Sequence, residues 1–236
     1  MAEDLEREKA AAARAAVAHV ARGMRIALGT GSTAAHAIRA IAERFPDGGD
    51  LEAVASSVAS ERLARELGLA VRPLREGDLF DLMIDGADEV APDLSLTKGG
   101  GGALLREKLL ARESRTLLII VDHTKLVPRL GTRSPIPLEV VPFARPALQR
   151  RLVAMGFSVR LRSRPGGGSY LTDNGNELLD LHPPAPIEDP GRLDRELHGL
   201  TGMVESGLFV HLARRVFVGH PDGSVEERES SEPVRT

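Results

Sequence analysis

The sequence predicts an α/β fold: a mostly parallel, Rossmann-like sheet domain with a second, smaller α+β domain. Over the first half of the chain, short apolar segments alternate with helical segments, which is typical of βαβ units in a parallel sheet. The alternation stops near Gly131, and Pro135, Pro137, Pro142 and Pro146 follow in close succession. This density of prolines indicates a crossing between domains.

The elements of the sheet domain are predicted from short apolar runs and from Ala- and Leu-rich segments between turn residues. The predicted helices are 4–21, 34–44, 58–67 and 103–112. The predicted strands are 24–28, 51–55, 82–84 and 116–121, with 208–212 and 216–218 expected to rejoin the same sheet. Residues 226–236 are polar and are expected to fray.

The smaller domain is predicted to span 132–205, so that 1–131 plus 206–236 form the sheet domain. Its expected elements are a helix at 146–155, a strand at 157–161, a hairpin and a helix at 189–198. The hairpin is placed at Asp173-Asn174-Gly175-Asn176, because Asn-Gly is a strong turn signal.

Composition excludes several classes of function. The chain of 236 residues is 42% hydrophobic, which is enough for a sizeable core, and its formal charge is only −3. A charge this small does not favour nucleic acid or an anionic membrane as a partner. The absence of cysteine excludes disulfides and thiolate catalysis. No signal peptide or membrane-spanning segment is recognised, so a cytoplasmic location is expected.

Ligands of parallel sheets bind outside the carboxyl ends of the strands, so the residues after each strand carry the functional prediction. The first strand is followed by Gly29-Thr30-Gly31-Ser32-Thr33 at the start of a helix, a pattern that favours an anion such as phosphate. A capped glycine turn is the alternative. A dinucleotide site is disfavoured, because the next strand ends in Ser56-Ser57 rather than in an acidic residue.

Three carboxylates follow the strand at 82–84, in Asp85-Gly86-Ala87-Asp88-Glu89. They could bind sugar hydroxyls or transfer protons. An acidic surface turn and a Mg²⁺ site are the alternatives, although the sequence around them lacks the context expected for the metal.

Lys98 and the glycines 99–102 lead into the helix that carries Glu107. Four consecutive glycines are costly in conformational entropy, so a flexible backbone beside a ligand is the better explanation for them. After the strand at 116–121, Lys125 is placed to reach an anion, while a solvated surface lysine is the alternative. His123 is a weaker candidate for proton transfer. Together these strand ends describe a site for a small phosphorylated polyol.

These motifs, in this order, resemble the ribose-5-phosphate isomerases of the A type, from about Lys9 to Gly223. The pair formed by Asp-Gly-Ala-Asp-Glu and Lys-Gly-Gly-Gly is the specific part of the resemblance. The motifs that carry it are Gly29–Thr33, Asp85–Glu89, Lys98–Gly101 followed by Leu-x-Arg-Glu-Lys, and Thr172–Asn176.

The resemblance implies interconversion of D-ribose 5-phosphate and D-ribulose 5-phosphate with no cofactor and no metal, by a homodimer or homotetramer. It assigns Glu107 as the catalytic base, Asp85 and Asp88 to sugar binding and ring opening, and Lys98 to the reacting oxygens. Lys9 matches a further phosphate contact. The substrate-binding residues that it implies are Thr30, Gly31, Ser32, Thr33, Asp85, Gly86, Ala87, Asp88, Lys98, Gly99, Gly100, Gly101 and Lys125.

Two departures from the family pattern, the extra Gly102 and the basic loop 162–168, are expected to lie apart from the proposed chemistry. Two other functions remain open. One is a non-catalytic sugar-phosphate sensor. Such a sensor would be expected to carry a DNA-binding helix-turn-helix, and the sequence before the first strand leaves no room for one. The other is an isomerase of another phosphosugar, which the anion site alone does not exclude.

Overall fold

A computed structural model describes residues 2–230 of the chain, in two compact units. The first unit consists of Met1–Ala87, Arg106–Lys125 and His211–Thr236, and the second consists of Asp88–Leu105 and Leu126–Val210. Met1 and residues 231–236, which include most of the predicted frayed tail, lie outside the described residues.

Within residues 2–230 the chain forms six α-helices and thirteen strands. The helices are α1 (Ala2–Val17), α2 (Ser32–Arg44), α3 (Val58–Glu66), α4 (Leu104–Arg112), α5 (Arg145–Ala154) and α6 (Pro190–His198). The strands are β1 (Arg25–Leu28), β2 (Glu52–Ala55), β3 (Leu82–Asp85), β4 (Glu89–Val90), β5 (Leu96–Thr97), β6 (Leu117–Asp122), β7 (Ile136–Val140), β8 (Ser158–Leu161), β9 (Glu177–His182), β10 (Met203–Ser206), β11 (Leu208–Phe209), β12 (Ala213–Gly219) and β13 (Val225–Glu229).

The first unit is built on a six-stranded sheet in the order β13-β12-β6-β3-β1-β2. All neighbouring pairs are parallel except β12 with β13, so the predicted α/β class is confirmed. Ala12, Ala13 and Ala16 of α1 are fully buried in its core. Their small side chains let the helix approach the sheet so closely that a Cβ at Gly219 would overlap the backbone of Glu8.

The second unit contains a four-stranded antiparallel sheet, β10-β7-β9-β8, and a three-stranded one, β11-β5-β4. A separate hydrophobic core, which includes Leu138, Leu148, Leu179 and Leu197, packs α5 and α6 against one face of the larger sheet. The turn predicted at residues 173–176 is present, and it is closed by the backbone hydrogen bond from Thr172 N to Asn176 O.

The Thr172–Asn176 motif surrounds a buried carboxylate of this unit. Oε1 of Glu139, a fully buried residue, accepts hydrogen bonds from Thr172 Oγ1 at 2.9 Å, Asn174 Nδ2 at 3.0 Å and Asn176 Nδ2 at 2.9 Å. Three hydrogen bonds to one oxygen offset part of the cost of burying this carboxylate. The motif therefore has a structural function in the turn.

Two predictions for the last part of the chain are wrong, one about a strand and one about a frayed tail. Leu208–Phe209 does not rejoin the parallel sheet; it forms β11 and pairs with β5 in the second unit. Residues 226–229 do not fray, because they belong to β13, which is antiparallel to β12 and shares several Arg–Glu pairs with it, including Arg215 with Glu227.

The second unit extends beyond the range 132–205 that was predicted for the smaller domain. Residues 88–105 and 126–131 group with the second unit, and 206–210 do so as well. One physical reason is Glu89, whose buried carboxylate accepts hydrogen bonds from the backbone N–H groups of Gly131, Arg133 and Ser134. These bonds tie the end of β4 to the chain that leads into β7.

Among the described residues, no helix combines the length and the apolar character that are needed to cross a membrane.

Candidate active site

The Gly29–Thr30 turn of the first unit is held by three serines that follow β2. Thr30 Oγ1 lies 2.7 Å from Ser56 Oγ, and Ser60 Oγ donates to the carbonyl of Gly29 at 2.7 Å. Ser57 in turn caps α3 by accepting from Ser60 N at 3.1 Å. Polar partners of this kind fix a turn that a glycine would otherwise leave flexible. The contact of these serines with the turn was not predicted, although Ser56-Ser57 stands out at the end of its strand.

Asp85 ends β3 and is completely buried beside this turn. Its Oδ1 accepts hydrogen bonds from Thr30 N at 3.0 Å and from Gly86 N at 2.7 Å. A side chain at position 29 would overlap the Asp85 carboxylate, so Gly29 is required by this close approach. As predicted, the ends of these two strands lie next to each other, because β1 and β3 are parallel neighbours.

The start of α2 presents free backbone donors next to Thr30. Gly31 precedes the helix with φ of 101° and has no side chain to cap it. Ser32 is exposed, whereas Thr33 is half-buried, and a Cβ at Gly86 would lie 3.4 Å from Thr33 Cβ. An uncapped helix start with nearby hydroxyl groups favours an anion.

Lys9 lies on α1, where it forms an ion pair with Glu6 at 2.8 Å. The other oxygen of Glu6 pairs with His36 Nε2 of α2, also at 2.8 Å. Lys9 therefore belongs to a short charged network that joins α1 to the helix after the Gly29–Thr33 turn.

Glu107 lies in the first turn of α4, directly after the glycine run, and only 3% of it is exposed. This burial shows that Glu107 is not an ordinary surface carboxylate. The neighbouring Lys108 is also buried, at 1% exposed. A buried carboxylate is desolvated, which is a common condition of groups that transfer protons.

Lys125 ends a short 3-10 helix, His123–Lys125, that follows β6. The buried carboxylate of Asp122 fixes this turn by accepting a hydrogen bond from Thr124 N at 3.0 Å. Glu8 of α1, which is also buried, accepts from the ring of His123 through Nδ1 at 2.6 Å. His123 is thus hydrogen-bonded to a carboxylate within the first unit, a pair that no sequence motif predicts.

In the second unit, Asp88 and the glycine run meet. Asp88 Oδ2 accepts a hydrogen bond from Gly100 N at 2.8 Å, and Asp88 N donates to Thr97 O at 2.8 Å. A Cβ at Gly100 would lie 2.6 Å from Asp88 Oδ1, so this position requires glycine. The two motifs predicted to act together are therefore in direct contact through these residues.

Lys98 is 3% exposed, and its Nζ lies 5.4 Å from the centre of the Phe209 ring. This distance is within the range of a cation–π interaction. The backbone of Lys98 donates to Gly207 O at 2.8 Å, and a side chain at Gly207 would overlap the Lys98 carbonyl. The lysine is thus fixed both at its backbone and at its ammonium group.

Side chains of the 162–170 region contact the glycine run. Arg162 donates to the carbonyl oxygens of Gly99 and Gly100, and the Tyr170 hydroxyl donates to that of Gly101. Arg162 of the basic loop therefore contacts the glycine run directly, and at Gly102 a side chain would overlap Tyr170. The expectation that both departures lie apart from the proposed chemistry stays a prediction.

Among the described residues, one group of three has the spacing of a metal site: Asp194, His198 and Glu205. The two ring nitrogens of His198 are engaged separately, with Nδ1 2.8 Å from the Asp194 carbonyl and Nε2 3.0 Å from Glu205 Oε1. Hydrogen bonds to Asp194 and Glu205 raise the pKa of His198 to about 10. At neutral pH this histidine carries a proton, which favours an ion-paired cross-link between α6 and β10.

His198→Gln is expected to lower stability most at pH 6 and least near pH 10. Because the folded-state pKa is raised above the usual 6.5, the contribution of His198 is complete below that value and is lost as the pH rises towards about 10. Urea unfolding at several pH values measures the difference from the unsubstituted protein. His182→Gln, at an exposed position of β9, is the matched control. A difference that stays constant with pH would contradict the ion pairs.

The fold and these groups define a class: α/β proteins with an uncapped helix start and buried carboxylates at the carboxyl ends of the parallel strands. Residues 52–223 match the family model described as ribose 5-phosphate isomerase A (phosphoriboisomerase A). A ribose-5-phosphate isomerase A from Chloroflexus aurantiacus is 52% identical over 220 residues, 92% of each chain. The chain belongs to the ribose-5-phosphate isomerase A family.

Solved structures agree with this assignment. The ribose 5-phosphate isomerase from Plasmodium falciparum is similar with a TM-score of 0.92 at 32% identity, covering 97% of this chain and 100% of its own. A D-ribose-5-phosphate isomerase solved in complex with phospho-erythronic acid has a TM-score of 0.91 at 36% identity, covering 95% of this chain and 99% of its own. The predicted resemblance is confirmed.

Proposed function

We propose that this protein interconverts D-ribose 5-phosphate and D-ribulose 5-phosphate, as an aldose–ketose isomerase that needs no metal or cofactor. The observation that carries the proposal is Glu107, a buried carboxylate in the first turn of α4, in a chain of this family. The names of the relatives support the choice of substrate. In the cell the reaction belongs to the non-oxidative branch of the pentose phosphate pathway, and the proposal places it in the cytoplasm.

The proposed reaction moves a carbonyl by one carbon. Glu107 removes the proton from C2 of the open-chain aldose and leaves an enediolate, and it then returns a proton to C1. The hydroxyl proton on O2 moves to O1, so that the carbonyl ends on C2 and no atom is gained or lost. A well-placed general base of this kind contributes ~10²–10⁴-fold to the rate.

The other residues have supporting roles in the proposal. Lys98 stabilises the negative charge that develops on the enediolate oxygens, which is a large electrostatic contribution when the cation is fixed in advance. Asp85 and Asp88 bind the sugar hydroxyls and assist ring opening. The phosphate binds to the N–H and hydroxyl groups of Gly29–Thr33 and to Lys125, and thereby holds the carbon chain in register.

The experiment that tests this function is turnover of ribose 5-phosphate by the purified, EDTA-treated protein. Rapid conversion that the chelator does not reduce would support both the substrate and the metal-free reaction. Binding of ribose 5-phosphate without conversion would favour the sensor, and turnover of a different phosphosugar would favour another isomerase. Activity restored only by added metal would mean that Asp85 and Asp88 hold an ion. Light scattering on the same sample tests the expected homodimer or homotetramer.

Lys125→Ala is expected to raise KM more than it lowers kcat. A phosphate contact binds substrate and transition state nearly equally, so its loss affects mainly the affinity. Steady-state kinetics and competition by phospho-erythronic acid, a ligand of a solved relative, measure the effect. Equal losses in kcat and kcat/KM would contradict the assignment and indicate a contact made only in the transition state.

A further inference from the structure

The segment Lys98–Gly102, called the glycine loop below, needs outside support to keep one conformation. Glycine loses more conformational freedom on folding than other residues, and four follow one another here. Gly99 has φ of 103° and Gly102 has φ of 80°, so both lie in the left-handed region. The backbone of the loop therefore does not determine its own shape, and its conformation depends on contacts made by the rest of the second unit.

Arg162 contacts carbonyl groups of the glycine loop, whereas Asp88 contacts one of its amides. Its Nη1 donates to Gly99 O at 2.8 Å and to Gly100 O at 3.1 Å. The N–H of Gly100 is bonded to Asp88, so this peptide segment is held through its carbonyls by a cation and through its amide by a carboxylate. Hydrogen bonds to charged groups are about twice as strong as neutral ones.

The guanidinium group of Arg162 is itself fixed by Asp180 of β9. Arg162 Nε donates to Asp180 Oδ2 at 3.0 Å, and Nη2 donates to Asp180 Oδ1. Only 16% and 13% of these two side chains are exposed, and the backbone N–H of Arg162 also bonds to Leu178 O of β9. A bidentate, partly buried pair on one sheet gives the guanidinium a single orientation.

Tyr170 holds the next residue of the loop. Its hydroxyl donates to Gly101 O at 3.3 Å, and its ring occupies the space that a side chain at Gly102 would need. Burial raises the pKa of Tyr170, so the hydroxyl keeps its proton and remains a donor at neutral pH. Three successive loop carbonyls thus have donors from residues 162 and 170.

We propose that Arg162, oriented by Asp180, is a positioning residue that holds the glycine loop in its working conformation. The inference rests on the proposed function, in which Lys98, the first residue of the glycine loop, stabilises the enediolate oxygens. Arg162 itself contacts no reacting group in this proposal; it acts through the loop. Lysine cannot replace it fully, because one ammonium group cannot bond both oxygens of Asp180 and two carbonyls in a planar arrangement.

The test compares Arg162→Met, Arg162→Lys and Arg164→Met in the full-length protein. Arg164 belongs to the same loop and donates to Ser169 O at 3.1 Å, so its variant controls for the loss of an arginine there. Arg162→Met is expected to lower kcat by ~10–10²-fold with a change in KM of less than about threefold, because small misplacements of reacting groups are costly. Arg162→Lys should recover part of kcat, and Arg164→Met should match the unsubstituted protein.

Hydrogen–deuterium exchange of the amides of residues 99–102 is measured on the same variants. Arg162→Met should exchange at least about tenfold faster there than Arg164→Met, since opening of the loop is no longer opposed by the guanidinium. If Arg162→Met unfolds, Arg162→Lys is compared with Arg164→Met instead. The kcat and the amide exchange of residues 99–102 then decide whether Arg162 holds the loop.

The outcomes separate the two proposals. If the unsubstituted protein converts ribose 5-phosphate and the Arg162 variants equal Arg164→Met in kcat, the positioning role is overturned while the function stands. If the unsubstituted protein shows no conversion, the proposed function fails. In that case the exchange data alone decide whether Arg162 holds the loop. Equal exchange in Arg162→Met and Arg164→Met overturns the positioning role, and faster exchange in Arg162→Met supports it.

Discussion

Replacing Glu107 with glutamine is expected to lower kcat by at least ~10²-fold, with a much smaller change in KM. Glutamine has nearly the same shape as glutamate, so the packing around this 3%-exposed side chain is retained. Its amide cannot accept the proton from C2 or return one to C1. The expected loss is therefore in the proton-transfer step rather than in binding. Steady-state kinetics with ribose 5-phosphate as substrate measure it.

Two comparisons show whether the loss is specific. Glu113→Gln removes an exposed carboxylate just after the end of α4 and should leave turnover unchanged. In D2O, the active protein should place solvent deuterium at C1 of ribulose 5-phosphate, because a carboxylate exchanges its proton with water between the two transfers. Near wild-type turnover by Glu107→Gln, with normal thermal stability, would remove Glu107 from the reaction.

The parallel sheet could be predicted because its signals are local. Each of its central strands is a short apolar run between turn residues, and the observed β1, β2, β3 and β6 lie within one or two residues of the predicted bounds. Once those strands are parallel neighbours, the motifs that follow them must lie at one edge. The contact between Thr30 and Asp85 follows directly from this rule.

The antiparallel parts were predicted poorly because their signals are not local. The strands β4, β5 and β11 have two residues each, which is too short for any periodic pattern. The central strand β7 contains Pro137, a residue that argues against a central strand because it lacks an N–H donor. Only the pairing of distant segments, such as Leu208–Phe209 with β5, produces these sheets.

Contacts between residues far apart in sequence were not predicted, for the same reason. Arg162 is more than 60 positions from the glycine carbonyls that it contacts, and Glu8 is 115 positions from His123. Neither pair has a spacing that a motif could record. The only signal was compositional: a basic, glycine-rich loop at 162–168 that the family resemblance did not explain.

Lys98→Met is expected to reduce kcat by ~10²–10³-fold, the range found when one donor to a developing oxyanion is removed. Methionine keeps most of the apolar stem, and its thioether can pack on the Phe209 ring that now faces the ammonium group. The fold of the second unit should therefore survive while the fixed positive charge is lost. Turnover, KM and thermal stability are measured together, so that a loss of charge is distinguished from a loss of structure.

Glu107→Gln and Lys98→Met should differ in how fast they exchange the C2 proton of the substrate with solvent. Without Glu107 no group moves the proton, whereas without Lys98 the proton can still move but the enediolate is less stable. Lys98→Met should therefore retain slow, measurable exchange of the C2 proton with solvent, and Glu107→Gln should show none above background. If Lys98→Met turned over at the wild-type rate, the charge on the enediolate would have to be stabilised by other donors, and the role assigned to Lys98 would be wrong.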